Sequence, residues 1–278
     1  MKKIILLAII ALASVKIFAQ EHKNDDTLKI KWKGSRIWIF DDKAIVRKDS
    51  IKKEKKRGDF THWGGFDFGI CALTTDKNQF RVAAPDAYNT NYLLDLKYNR
   101  SWYFSLNPLE KSIHLYKNYV NLIIGLGIEW DSYNFRTNIR LNPDSNTTNS
   151  TNIKMDTAAN VKYIKNQLKA TYIKIPLLIE LNTNSSNANK SFHLAAGMEF
   201  GYKIDSWTKQ KYEAGGTTYK AKLHDDYNLS AFKYGIVVRA GYGSFTVFAN
   251  YSLSPLFDKN KGPELQLYPI SAGIAISF

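Results

Sequence analysis

The chain has 278 residues, a formal net charge of +14 and one cysteine, Cys71. A single cysteine excludes an internal disulfide, and with it a small secreted fold held by disulfides. The length allows one barrel or sandwich domain. Beyond the first residues no apolar stretch reaches the ~20 residues that a transmembrane helix needs, so any membrane crossing has to be made by strands.

Residues 1–19 predict a secretory signal peptide. Met1 is followed by two lysines and then by an apolar run at residues 4–15, which is too short to span a bilayer. We expect cleavage after Ala19, which leaves Gln20 at the mature end. The residue directly after the expected cut is Gln20 and not a cysteine, so a lipid-anchored lipoprotein is not expected. Because the protein is expected to be exported, we do not expect its positive charge to bind nucleic acid.

Residues 20–61 predict a basic extension that precedes the main domain. Residues 21–58 carry thirteen Lys or Arg against seven Asp or Glu. We interpret this region as a solvated linker, with weak attraction to anionic lipid head groups as the alternative. Within it, residues 28–32 and 37–39 alternate around a Gly-Ser pair, which predicts a short hairpin.

Residues 62–278 show long alternating strands separated by polar loops. Large apolar and aromatic side chains occupy one face of each strand, while glycines and charged residues occupy the other, as with Phe200 and Glu199. A water-soluble barrel would bury the apolar face, whereas an apolar exterior around a polar interior is typical of a transmembrane β-barrel. The eight predicted strands lie at residues 63–73, 91–106, 119–133, 170–181, 192–204, 229–242, 245–253 and 267–278.

Because hydrocarbon offers no water to free backbone groups, a sheet in the membrane has to close on itself. The sequence therefore predicts an all-β fold: an eight-stranded antiparallel transmembrane β-barrel, an up-and-down meander, with an N-terminal periplasmic extension. We expect it in the cell outer membrane, surrounded by outer-membrane lipids and lipopolysaccharide.

The inward face of the predicted barrel carries eleven charged residues in a near-balance of six acidic against five basic. Unpaired buried charge costs several kcal/mol, and a hydrogen-bonded network offsets that cost. We therefore expect an interior filled by ion pairs; a small-solute channel is the alternative. The set is Asp67, Asp95, Lys97, Glu129, Asp131, Lys174, Glu180, Glu199, Lys203, Lys233 and Arg239.

Aromatic residues near the strand ends are predicted to lie at the two membrane interfaces. They are Trp130, Tyr202, Tyr242, Phe245, Tyr251, Tyr268 and Phe278. The last predicted strand carries two members of this set: Tyr268 is its second residue and Phe278 is its last. Its terminal phenylalanine resembles the signal that outer-membrane barrels present to the barrel-assembly machinery, which is the expected partner during biogenesis.

Loop lengths predict the orientation of the barrel. Short links are predicted at residues 107–118, 182–191 and 243–244, and longer ones at 74–90, 134–169, 205–228 and 254–266. Bacterial barrels have short periplasmic turns and long external loops. Both termini are therefore expected in the periplasm. The loop at 134–169 carries six Lys or Arg against two Asp, which favours either solvated chain or contact with lipopolysaccharide phosphates.

Catalytic and metal-binding patterns are weak. The five histidines show no metal-ligand spacing, and no cofactor or metal is expected. The polar cluster predicted near the external rim consists of Asp205, His224, Asp225 and Asp226. We interpret Asp225 and Asp226 as residues that position a loop or bind a stray cation, and we expect a protein that is not an enzyme.

Several segments of residues 62–278 resemble the PorT-like family of small outer-membrane β-barrel proteins common in Bacteroidota. They include HWGGFDFG at 62–69, LDLKYNRSW at 94–102, GLGIE at 125–129, IPLLIE at 175–180, DYNL at 226–229 and ANYSLSPLF at 249–257. The resemblance implies the barrel and its location and transfers no catalytic or ligand residue. It fits a structural or interaction role; the alternative is an accessory of outer-membrane protein export or assembly that meets a periplasmic protein through its extension.

Overall fold

The computed structural model describes residues 28–32, 35–40, 43–48, 61–76, 79–80, 95–141, 153–155, 161–259 and 266–278. The predicted signal peptide lies outside the described residues, and so does part of the basic extension. The chain divides into two compact units, residues 1–57 and 58–278.

The first unit contains a three-stranded antiparallel sheet. Its strands are β1 (Leu28–Trp32), β2 (Ser35–Phe40) and β3 (Lys43–Lys48). Trp32 pairs with Ser35, which is the register that the predicted hairpin requires. The sequence prediction did not include β3, because its short apolar centre lies between charged residues.

The second unit is a closed ring of strands. They are β4 (Gly65–Thr75), β5 (Trp102–Tyr116), β6 (Val120–Asn134), β7 (Ile139–Leu141), β8 (Ile153–Met155), β9 (Val161–Asn182), β10 (Phe192–Ala214), β11 (Thr217–His224), β12 (Phe232–Tyr242), β13 (Phe245–Ser252) and β14 (Leu267–Ser277). Eight of them close the ring in the order β4, β5, β6, β9, β10, β12, β13 and β14, with β14 paired to β4. Every neighbouring pair is antiparallel, which confirms the predicted fold class.

The two ends of the ring differ. At the short-turn end, residues 117–119 join β5 to β6 and residues 243–244 join β12 to β13. The long-loop end carries the connections after β4, β6, β10 and β13. There β9 and β10 continue beyond the ring and, with β11, form a three-stranded extension.

The faces of the ring are as predicted. Phe200, Ile236 and Ile274 are 44 to 46% exposed on the outside, while the inward Glu129 and Arg239 are at most 3% exposed. The outer surface of the ring is therefore apolar, as contact with acyl chains requires.

Several predicted boundaries were wrong. The predicted loop at 134–169 contains β7, β8 and residues 161–169 of β9. The second strand was placed at residues 91–106, but β5 begins at Trp102, because a 3-10 turn at Tyr98–Arg100 precedes it and Leu96 turns inward to bridge Phe135. The predicted link at 107–118 is instead strand up to residue 116, so the connection is a tight turn at 117–119. The predicted loop at 205–228 is mostly the β10–β11 hairpin. In β11, Tyr219, Ala221 and Leu223 alternate with lysines, a strand signal that the sequence prediction missed.

The interior is filled by three layers. A cluster of apolar and aromatic residues lies towards the long-loop end and includes Leu96, Phe135 and Phe257. The charged residues form the middle layer. A second apolar cluster, around Trp63 and Ile123, lies towards the short-turn end. A Cβ on Gly125 would lie 2.5 Å from the Trp63 ring, so glycine there makes room for the indole.

The described helical segments are two 3-10 turns, Tyr98–Arg100 and Ala188–Lys190. Among the described residues, no helix has the length and apolar character to cross a membrane.

Candidate functional site

The middle layer of the barrel is a charge network built from residues of six strands. On one side Arg239 of β12 donates to Asp67 of β4 through two nitrogens, at 3.1 and 3.0 Å. Asn107 of β5 donates to the same carboxylate at 3.0 Å, and the Lys174 ammonium lies 3.7 Å away. Asp67 is thus bound by groups from three other strands.

On the other side of the network, Lys233 of β12 donates to Glu129 and to Asp131 of β6, each at 2.7 Å. Tyr103 links the two sides, because its hydroxyl donates to Glu129 at 3.1 Å and accepts from Lys174 at 2.8 Å. Lys174 also pairs with Glu199 of β10 at 3.1 Å.

The network leaves little free space. It brings together four carboxylates and three basic groups: Asp67, Glu129, Asp131, Glu199, Lys174, Lys233 and Arg239. The cavity beside Glu129, Lys174, Glu199 and Lys233 measures about 20 Å³. Because a water needs about 10–15 Å³, this cavity has room for about one water molecule. The geometry can hold opposite charges in place, and it leaves no wide aqueous path through this layer.

Four predicted members lie outside the network. Asp95 pairs at 2.9 Å with Arg136, which is exposed at the long-loop end. Lys203 pairs there with Asp226 and donates to the Leu229 carbonyl. Asp95 precedes the true start of β5, whereas Lys203 keeps the inward face opposite Tyr172 but lies nearer the long-loop end than the network.

Lys97 and Glu180 complete the set of four. Lys97 also precedes β5 and lines a cleft that is described below. Glu180 is buried, but it lies six residues along β9 from Lys174, which is about 20 Å of strand. It therefore belongs to a separate group near the short-turn end.

Glu180 forms that group with His62, which precedes β4. The His62 Nδ1 lies 3.1 Å from Glu180, and its Nε2 lies 3.2 Å from the Ala188 carbonyl. Burial opposes the charged ring, but the hydrogen bond and charge of Glu180 outweigh burial and raise the pKa of His62 above its ordinary value. Two acceptors for two ring nitrogens fit a doubly protonated imidazole.

The His62 ring stacks on that of His193, with 3.9 Å between ring centroids and 7° between ring planes. The His193 Nε2 lies 2.8 Å from the Thr246 hydroxyl. Sequence reasoning missed His62, Trp63 and Tyr103 as interior residues. Tyr103 could have been assigned from the alternation of β5, and Trp63 from its place at the start of the first predicted strand, on the same face as Asp67. His62 precedes that strand and carries no periodic signal.

The predicted rim cluster positions the chain between β11 and β12. His224 lies 3.2 Å from Asp205, and both side chains are exposed. Asp225 accepts from the backbone N–H of Asp226 at 2.6 Å, and Asp226 pairs with Lys203. Within the described residues, no three His, Cys, Asp or Glu are placed to hold a metal ion.

The seven predicted interface aromatics lie on the outside of the ring. Tyr242 packs on Phe192 with ring centroids 4.7 Å apart, and Phe278 packs on Phe66 at 5.9 Å. Phe245 shares this short-turn end. Trp130, Tyr202 and Tyr268 lie nearer the long-loop end. Tyr251 pairs with Ile236, near the centre of β12, and lies at the level of that residue. Sequence reasoning missed Trp102 and Trp207, which join Trp130 there around Lys169.

The chain has similarity to a protein family and to solved structures. No curated protein matches the chain. The crystal structure of Ail, the attachment invasion locus protein of Yersinia pestis, is similar over 77% of this chain and 99% of that one, with 11% identity and a TM-score of 0.29. A family model described as "Outer membrane protein beta-barrel domain" matches residues 58–258. The chain belongs to this family of outer-membrane β-barrel proteins.

Proposed function

We propose that this outer-membrane barrel is a closed, non-enzymatic scaffold whose long-loop end carries its interactions. The observation that supports closure is the filled interior: two apolar layers enclose a network in which Asp67, Glu129 and Lys174 are each at most 1% exposed. A small-solute channel would need a continuous wet path across all three layers. The rim cluster at Asp205 and His224 is held in hydrogen bonds that organise a loop, which favours a role other than catalysis.

The proposed orientation places both termini of the barrel in the periplasm. The chain enters β4 at Gly65 and leaves β14 at Ser277. Ser277 donates to the Ser244 carbonyl and pairs with Gly65, so both ends lie at the end of the ring that carries the turn at 243–244. Short turns face the periplasm in bacterial barrels. The exposed Phe278 at the end of the last strand supports recognition by the barrel-assembly machinery.

The resemblance to the PorT-like family supports a finer placement of the chain. Two of the resembling segments, 125–129 and 175–180, lie on β6 and β9 of the ring. Since these segments build the wall and the interior, they support a shared architecture and say nothing of a ligand.

Planar-bilayer recording tests the closed scaffold. We expect the refolded protein to give no stepwise conductance comparable with that of a porin, because side chains fill the bore. Heat-modifiable gel mobility of the same preparation would establish that the barrel is folded. Porin-like steps from folded protein would refute the proposal.

A second candidate function is that of an export or assembly accessory acting through the extension. The observation in its favour is that β1, β2 and β3 form a sheet within a compact unit of their own. Deletion of residues 20–57 is expected to remove a periplasmic partner from pull-downs out of outer membranes. A matched variant that neutralises only Lys52, Lys53, Lys55 and Lys56 separates the effect of charge from that of the sheet. Identical partners with and without the extension would exclude this function.

A further inference from the structure

A cleft of about 390 Å³ opens at the long-loop end, beside the start of β5. Four basic residues line it: Lys97, Arg100, Lys165 and Lys211. No acidic residue is among the described residues that line it, and none of the four pairs with a described carboxylate. The volume falls in the range of about 300–1,000 Å³ that is usual for small-ligand sites.

The register places this cleft on the outer wall of the barrel. Trp207 pairs with Lys169, Lys169 with Ser132, and Ser132 with Trp102, so these four side chains form one row across β10, β9, β6 and β5. Trp102 in turn pairs with Ile70, which is 58% exposed on the lipid-facing side. The whole row therefore faces outward.

Further along the extension, the same outward face becomes basic. One row beyond Trp207, Lys209 pairs with Lys222. In the next row, Lys211 pairs with Lys220 on one side and with Lys165 on the other. Beyond these lysines, the acidic residue that the structure describes on the same face of β10 is Glu213. These lysines extend the positive surface of the cleft across three strands.

The tryptophans indicate the depth of this surface in the membrane. The Lys169 ammonium lies 5.1, 6.0 and 5.6 Å from the ring centroids of Trp102, Trp130 and Trp207. Tryptophan concentrates at the boundary between hydrocarbon and water. Each row beyond them adds about 5 Å along the membrane normal, from two rises of about 3.4 Å tilted by about 40°. The lysine rows therefore lie at the level of the lipid head groups.

We propose that this cleft and the adjoining lysine rows bind the phosphate groups of a phosphorylated glycolipid of the surrounding leaflet. Phosphate complements four basic groups that have no partner among the described carboxylates, and Arg100 offers the planar donor pair that phosphate accepts. A lipid reaches the site from the side, because the cleft is continuous with the lipid-facing surface through Trp102. This inference deepens the proposed interaction role at the long-loop end and rests on it.

The test measures binding of bis-phosphorylated lipid A to the refolded full-length protein in detergent micelles. The double variant Lys165→Gln/Lys211→Gln is expected to bind about 30-fold more weakly, at roughly a fivefold loss for each basic residue near a lipid surface. The matched control Lys117→Gln/Lys190→Gln removes two lysines from the short-turn end and should bind like wild type. Dephosphorylated lipid should bind both proteins weakly and equally.

Two outcomes would overturn the assignment. These are equal binding of phosphorylated and dephosphorylated lipid, and equal losses in the two double variants. Heat-modifiable mobility of each variant shows that it is folded. The outcome is independent of the conductance test, because a conducting barrel could bind lipid on its outer wall and a closed barrel could fail to do so.

Discussion

Replacement of Arg239 by Met is expected to lower the free energy of unfolding of the barrel by about 3 kcal/mol, the lower end of the cost of breaking a buried ion pair. Arg239 supplies two hydrogen bonds to Asp67, and both residues are at most 3% exposed. The variant leaves the carboxylate without its main partner in a region that water does not reach. Lys174 at 3.7 Å and Asn107 at 3.0 Å remain, which is why we expect the lower end.

The measurement is a urea titration of protein refolded in lipid, with the folded fraction read from gel mobility. Two controls sharpen it. Arg239→Met combined with Asp67→Asn should recover much of the lost stability, because no unpaired charge remains. Lys203→Met removes an ion pair whose partner, Asp226, is exposed, and should cost about 0–1 kcal/mol. An Arg239→Met barrel as stable as wild type would show that the network contributes no stability.

The ring and its two faces could be predicted from the sequence because a membrane strand needs a sustained alternation of side chains. β10 shows this from Phe192 to Tyr202, and the structure places every outward residue as the alternation requires. Alternation also assigned Asp67 and Arg239 to the interior. That these two form a pair could not be predicted, since they lie 172 residues apart and their contact depends on the register of every strand between them.

The predictions failed where the backbone leaves the strand period. The register shift between Lys203 and Asp205 moves the residues beyond it to a different face, so Trp207 points outward next to Lys169. The 3-10 turn before β5 likewise removes Lys97 from the interior and places it in the basic cleft. A period-2 pattern carries no information on such breaks. The candidate lipid site is built from residues at these breaks, so it could not be predicted from the sequence.

Replacement of Ile236 by Arg is expected to cost about 2–4 kcal/mol of stability in a bilayer, the cost of a basic residue at the midplane of a lipid-facing surface. Ile236 lies near the centre of β12 between Met198 and Tyr251 on the neighbouring strands, and it is 46% exposed. If this face contacts acyl chains, a guanidinium at position 236 cannot reach water. The same substitution on the exposed face of a water-soluble barrel would cost little.

Leu181 provides the matched control, because it is an outward aliphatic residue of similar exposure at the short-turn end of β9. Leu181→Arg should cost only about 0–1 kcal/mol, since a side chain at the interface reaches the head groups. Urea titrations of both variants in the same lipid give the difference directly. Equal costs at the two positions would mean that Ile236 does not face the hydrocarbon core, and the assignment of the apolar face to lipid would have to be abandoned. A clearly larger cost at Ile236 would place the membrane midplane at the level of the charge network. Ile236 lies at that level because its neighbours along β12, Gly235 and Val237, face the bore between Lys233 and Arg239.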